Sequence, residues 1–275
     1  MSRNTVMMNA GYVFIVFLWA VNRVSLADEP AAGPIVAGFA ITALQHSHTD
    51  EAPSFVLQSE LNDLIRDGGG GACASAAGID ALQTLRIMTG LPKLQHPHKV
   101  VLTTFTDQPS LLKGRVTNDE FARLLKFYQP HIPGKQLTLT VQGSPRSSMP
   151  NSEVRWDSVR GPDLRVLEHQ LKIVTFRWTN SAGKLLGRHF VLLKNFDNNE
   201  ITALDPESPL KDRTYTLQKI AAGADEVRFV LRPPAKFDRG DDFELDTVFT
   251  IAMLDDGAAT PRTETLAAIK SLSEN

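Results

Sequence analysis

Apolar residues recur along this chain with two different periods, and the change of period divides it. Residues 53–66 place Phe55, Val56, Leu57, Leu61, Leu64 and Ile65 at helical spacing. From Ala74 onward Ala77, Gly78, Ala81, Leu82, Leu85 and Met88 do the same, with Gly90 and Pro92 as a stop. Asp80 and Arg86 are assigned to the polar face of this second helix. Thr117-Asn118-Asp119-Glu120 is a capping box opening a helix through Phe121, Leu124, Leu125 and Tyr128. Residues 34–44 fit a strand or a short helix equally well. The β-branched stretch 100–105 and the alternating stretch 136–141 read as strands.

After 143–153, a Ser- and Pro-containing stretch with the composition of a linker, the period shortens. A short helix is expected over 164–171, carrying Val166, Leu167 and Leu171. Strands follow at 173–178, 188–196, 200–205, 213–217 and 227–231, separated by turns at 180–183 and 197–199. Residues 233–242 read as loop and 263–272 as a terminal helix. The expected class is α+β, with a helical part packed on a part built from an antiparallel β-sheet. Within it, 28–142 is mainly helical, 154–235 is the sheet part, and 236–275 is a C-terminal extension.

Composition changes the picture in two places. The first 27 residues carry Arg3, an apolar core over 11–21 and a small-x-small Ser25-Leu26-Ala27, the layout of a cleavable signal peptide. The apolar core is too short to span a bilayer, so export without stable membrane insertion is expected, to a secreted or periplasmic destination. A formal charge of −2 with no basic cluster argues against nucleic acid as a partner. The second place is the single cysteine of the 275 residues. In an exported chain it can form no internal disulfide, which leaves an intermolecular bridge, a buried bystander or a working thiol.

That residue, Cys73, follows Gly68-Gly69-Gly70-Gly71-Ala72 and stands at the start of the second helix. A helix N-terminus favours an anion, here the thiolate. A thiol nucleophile needs a base, and the base needs an orienting group. His189, in Gly187-Arg188-His189-Phe190-Val191, is the candidate base. Asp205, in Leu204-Asp205-Pro206, is the candidate orienter, brought alongside by the turn at 197–199. Two pairs, His46-x-His48 and His96-x-His98, offer an alternative metal site, but polar loop positions explain them better, and no metal or other cofactor is implied. Trp156 and Trp178 are assigned to packing ahead of a substrate groove.

Cysteine at a helix start, histidine in a Gly-x-His-apolar strand, then Asp-Pro at a later strand end resembles the papain-like cysteine peptidases. The bacteriocin-processing (double-glycine) branch and its exported relatives are the most similar in kind, over roughly 53–231. The densest part runs from Asp163 through Thr214-Tyr215-Thr216-Leu217 to Lys219, and the capping-box helix is placed as in those relatives. The resemblance implies a papain-like fold and a Cys73–His189–Asp205 triad cleaving a peptide or amide bond of a peptide or protein substrate. Where that family places an oxyanion-stabilising Gln, six positions before the cysteine, this chain has Asp67. Asn62, Gln58 or backbone N–H groups up to Cys73 are the alternative donors. A catalytically inactive binding module, and an acyl transferase in which an amine replaces water, are the other readings of the same scaffold.

Overall fold

Residues 36–64, 72–107, 116–144, 154–156, 161–179, 185–221, 227–232 and 243–255 are described by a computed structural model. Among the described residues five α-helices come first: α1 (Ala37–His46), α2 (Gln58–Leu64), α3 (Cys73–Met88), α4 (Pro97–Asp107) and α5 (Asn118–Phe127). Eight strands follow: β1 (Lys135–Gly143), β2 (Val154–Arg155), β3 (Gln170–Thr179), β4 (Leu185–Asp197), β5 (Glu200–Leu204), β6 (Asp212–Ala221), β7 (Val227–Arg232) and β8 (Phe243–Asp255). The fold is α+β, as expected, but the sheet curls. Strands β3 to β8 run antiparallel in chain order, and β8 pairs with both β7 and β3, closing a six-stranded barrel. The N-terminal helices pack on its outside, α1 and α3 against β4 and α3 against β3.

Alternation along the barrel strands sorts their side chains onto two faces. Val174, Phe176, Val191, Leu193, Ile201, Tyr215, Leu245 and Val248 fill the inside. Ile173, Phe190, Leu192, Leu204, Phe249 and Ile251 join the cluster formed with the helices. Because both faces are covered, these strands read as apolar runs. β8 was not identified in the sequence, where 236–275 stood apart as an extension. Its Thr247-Val248-Phe249-Thr250-Ile251 run, β-branched and aromatic, was the available signal. The outer edge of β8 is shared: Phe243 and Glu244 face β7, and Thr247 through Asp255 face β1. Asp246 is the extra residue of a bulge at the changeover, and its carbonyl accepts the Ser144 N–H at 2.8 Å.

α3 is the axis of the helical part. Every residue from Cys73 through Leu85 is buried, which corrects the expectation that Asp80 lies on a polar face. The Asp80 Oδ1 accepts the Val56 N–H at 3.2 Å, and burial pushes its carboxyl well above the ordinary carboxylate range. Arg86 instead donates to the carbonyls of Pro92 and His131. A Cβ at Gly78 would stand 2.8 Å from the Leu124 side chain, so a small residue here lets α5 approach. Gly90, at φ 74, takes the left-handed position that ends the helix, with the Leu91 N–H on the Arg86 carbonyl.

One open reading is resolved and three further expectations are corrected. The ambiguous 34–44 stretch is helix α1, whose Ala37, Ala40, Ile41 and Leu44 form its buried stripe. Residues 100–105 lie in a helix and not a strand: Pro97 takes the first helical position, and Thr104 and Thr106 turn their hydroxyls back to the carbonyls of Val100 and Leu102. Residues 164–167 have no regular secondary structure, and β3 begins at Gln170. Leu164 is buried in the barrel-interior cluster, while Asp163 meets the buried Lys172 ammonium at 3.3 Å. Those two tertiary contacts outweigh local helix spacing. The 53–66 helix is shorter than expected, since Phe55 and Val56 are buried in an irregular, bent segment before α2 and Glu60 caps the Leu57 N–H. Trp156 is buried at the same cluster as Leu164.

The signal-peptide stretch, Asp67, the Trp178 side chain, the turn at 180–183, most of the linker and the 233–242 and 263–272 segments lie outside the described residues. No described helix is long and apolar enough to cross a membrane.

Candidate active site

Cys73 is the first residue of α3, and its thiol donates to the Arg188 carbonyl of β4 at 3.6 Å. The next residue of that strand, His189, lies on the inward row with Val191 and Leu193. Its ring is tilted against Phe176, centroids 5.4 Å apart, and its side chain is 14% exposed. The Nε2 atom is 2.9 Å from Asp205 Oδ1. His189 is also hydrogen-bonded to the Cys73 side chain, for which Nδ1 is the nitrogen left. The three residues singled out in the sequence are thus gathered at one place, where the start of α3 meets the barrel.

The strand pairing explains the convergence. Asn198 and Asn199, both at positive φ, make the tight turn that folds β5 back on β4. The hairpin carries Leu204 opposite Leu192, and Asp205, just past the end of β5, reaches back to His189. Pro206 then leaves the sheet, its carbonyl accepting the N–H of Gln58 at 3.0 Å. The first residue of α2 is therefore tied to the Asp205 loop. Four residues on, Asn62 Oδ1 accepts the Ala72 N–H at 2.8 Å. Gln58 and Asn62 share one face of α2, between the two ends of the constellation.

Charge is arranged asymmetrically. Burial works against a charged His189 ring, yet its hydrogen bonds to Asp205 and Cys73, with the negative charge of Asp205, hold it up at about 10. Burial would likewise raise Asp205, but the His189 hydrogen bond and charge, the Glu207 N–H and Arg213 bring it down to about 2. An imidazolium facing a carboxylate is the outcome. Asp205 Oδ2 also takes the Tyr215 hydroxyl at 3.0 Å and the Arg213 guanidinium at 3.2 Å. Burial and the neighbouring carboxylate push the Tyr215 phenol upward, so it stays a donor.

The sequence reading did not single out Arg213 or Tyr215. Their signal was period two on β6, where Arg213, Tyr215 and Leu217 share the inward face. A second group flanks the cysteine unannounced. Arg188 Nε donates to Asp246 Oδ2 at 3.1 Å, and Asn118, at the start of α5, donates to Asp246 and to Thr247 Oγ1. It ties β4, β8 and α5 together beside the thiol.

The histidine pairs do not converge. His46 ends α1, His48 Nδ1 accepts the Ser54 N–H, and His98 of α4 is 3.0 Å from Glu60. Among the described residues no group of three or more His, Cys, Asp or Glu is placed to hold a metal ion. Of the candidate oxyanion donors, Asn62 is held on the Ala72 N–H, one residue before Cys73, and the Cys73 N–H lies at the start of α3. Gln58 lies by the Asp205 loop with its Oε1 buried and without a hydrogen-bond partner among the described residues. Comparison of the chain with protein-family models, with curated proteins and with solved structures returns no match.

Proposed function

We propose that this chain is an exported papain-like cysteine peptidase, of the kind of the bacteriocin-processing branch, cleaving a peptide or amide bond through an acyl-enzyme. The observation that carries the reading is the hydrogen-bonded series from the Cys73 thiol through His189 to the Asp205 carboxylate, 2.9 Å at its second link. Export rests on the pattern of residues 1–27, and the peptide or protein substrate rests on the chemistry of such a site.

His189, as imidazolium, holds the proton of the Cys73–His189 pair, and the Cys73 sulfur attacks the carbonyl carbon to form a tetrahedral oxyanion. The carbon–nitrogen bond breaks, the leaving amine takes the proton from His189, and a thioester remains on Cys73. Water then gives a proton to His189 and its oxygen to the acyl carbon. The carboxylic acid departs and the thiol is restored. Asp205 holds the ring orientation throughout.

The oxyanion donors are the Cys73 N–H and the Asn62 amide. The Ala72 N–H takes the Asn62 Oδ1, which ties this amide to the residue before Cys73 and leaves Nδ2 as its donor end. This side chain supplies what Asp67 cannot supply while ionised. Loss of one such donor costs about 2.7–4 kcal/mol in the transition state, so Asn62→Ala lowers kcat by about 100- to 1000-fold.

The test is turnover of a peptide-amide library followed by mass spectrometry of the acid-quenched enzyme. A mass adduct on Cys73, absent from Cys73→Ala, is expected. Binding of peptides with neither adduct nor cleavage would favour the inactive module, to which Asp67 points.

A further inference from the structure

The geometry points to Arg213 and Tyr215 of β6 as positioning residues, which lock the Asp205 carboxylate in the one orientation that presents Oδ1 to His189. The inference rests on the peptidase reading above and extends it to residues that touch neither thiol nor substrate.

An ionised carboxylate offers about four lone-pair sites. At Asp205 each oxygen has two partners. Oδ1 accepts from His189 Nε2 at 2.9 Å and from the Glu207 N–H at 2.9 Å. Oδ2 accepts from the Tyr215 hydroxyl at 3.0 Å and is ion-paired with the Arg213 guanidinium at 3.2 Å. With two partners on each oxygen, rotation about the Cβ–Cγ bond breaks contacts at both ends, so the group is fixed as well as charged. The Phe176 ring separates the two sides: it lies 5.4 Å from the His189 ring and 5.3 Å from the Tyr215 ring. Histidine and tyrosine therefore reach one carboxylate around a common aromatic spacer.

The side chain of Asp205 is 1% exposed, so water cannot replace a donor that is removed. A buried carboxylate facing only an imidazole would move toward sharing its proton with the ring, leaving a neutral pair. The donors on Oδ2 oppose that. The charged and titratable groups around the carboxylate are His189 of β4, Arg213 and Tyr215 of β6, Glu207 of its own turn and, beyond His189, Cys73 of α3. Glu207 turns its side chain to Arg213 at 3.3 Å, so its contribution to Asp205 is the backbone N–H.

Carboxyl carbon NMR of Asp205 between pH 3 and 7 tests the inference, together with the pH profile of Cys73 alkylation, on wild type, Tyr215→Phe, Arg213→Gln and Arg213→Lys. Tyr215→Phe removes one oxygen and keeps the ring, so the fold is retained. Wild type is expected to show no Asp205 titration step in that range. In Tyr215→Phe and Arg213→Gln the step moves up by about one pH unit or more, and the acid limb of alkylation moves with it. Arg213→Lys restores most of the shift. An Asp205 signal unmoved in both Tyr215→Phe and Arg213→Gln overturns the inference. A shifted Asp205 with an unreactive Cys73 in wild type upholds the clamp and removes only the peptidase reading.

Discussion

Buried titratable residues couple the stability of the fold to pH. His189 is raised in the folded chain to about 10 from 6.5, so its contribution to stability is complete below pH 6.5 and is lost as pH rises toward 10. Asp205 is depressed to about 2 from 3.8, so its contribution is complete above pH 3.8 and is lost as pH falls toward 2. Thermal unfolding of His189→Gln, scanned from pH 6 to 10, is expected to lose most of the alkaline decline seen in wild type. Asp80 acts in the opposite sense. Burial raises it, so the unfolded chain ionises first and stability falls as pH rises from 3.8. Asp80→Asn keeps an acceptor for the Val56 N–H and removes that penalty. Its melting temperature should exceed that of wild type by a margin that widens from pH 4 to 8. In the sequence, His189 stood out as an imidazole among apolar strand residues, and Asp205 as a carboxylate before a proline. Arg213 and Tyr215 did not, because their role exists only once β6 is laid beside Asp205.

At the scale of elements, the helices whose ends carry their own chemistry were legible. Thr117 and Glu120 form the reciprocal capping box that their spacing implies, and Thr117→Ala is expected to cost about 1 kcal/mol in urea denaturation. Elements fixed by tertiary contact were not. Nothing local in 164–167 says that Leu164 is needed inside a barrel, and the β-branched residues of α4 outvote its helical face, where Val101 and Thr104 are buried and Leu102 is half-exposed. α1 illustrates the close approach that its composition allows. A Cβ on Gly38 would lie 2.7 Å from the Lys194 carbonyl of β4, a backbone atom that cannot turn aside. Gly38→Ala should destabilise by about 1–3 kcal/mol, moving α1 off the strand that carries His189.

Across the molecule, the site exists because a helical layer and a closed barrel meet along β4. One face of that strand places His189 inside, and the other packs Phe190 on Phe121 and Phe249, centroids 4.6 and 6.4 Å away. Phe249 belongs to β8, so barrel closure and the seating of the helices share one cluster. Phe249→Ala is expected to cost about 3–5 kcal/mol and to loosen Cys73 from His189 in the same step. Closure was invisible in the sequence because pairing of first and last strands has no local signature. The antiparallel order of the sheet part could be read from its turns.

The central claim is that Cys73 is activated by His189 and oriented with it by Asp205. The most direct measurement is the rate of carboxamidomethylation of folded protein at pH 6, read at Cys73 by mass spectrometry, in wild type and His189→Ala. Activation predicts labelling in wild type that falls by about a hundredfold or more when the imidazole is removed. Equal rates in the two proteins, both matching an unfolded control, would contradict it.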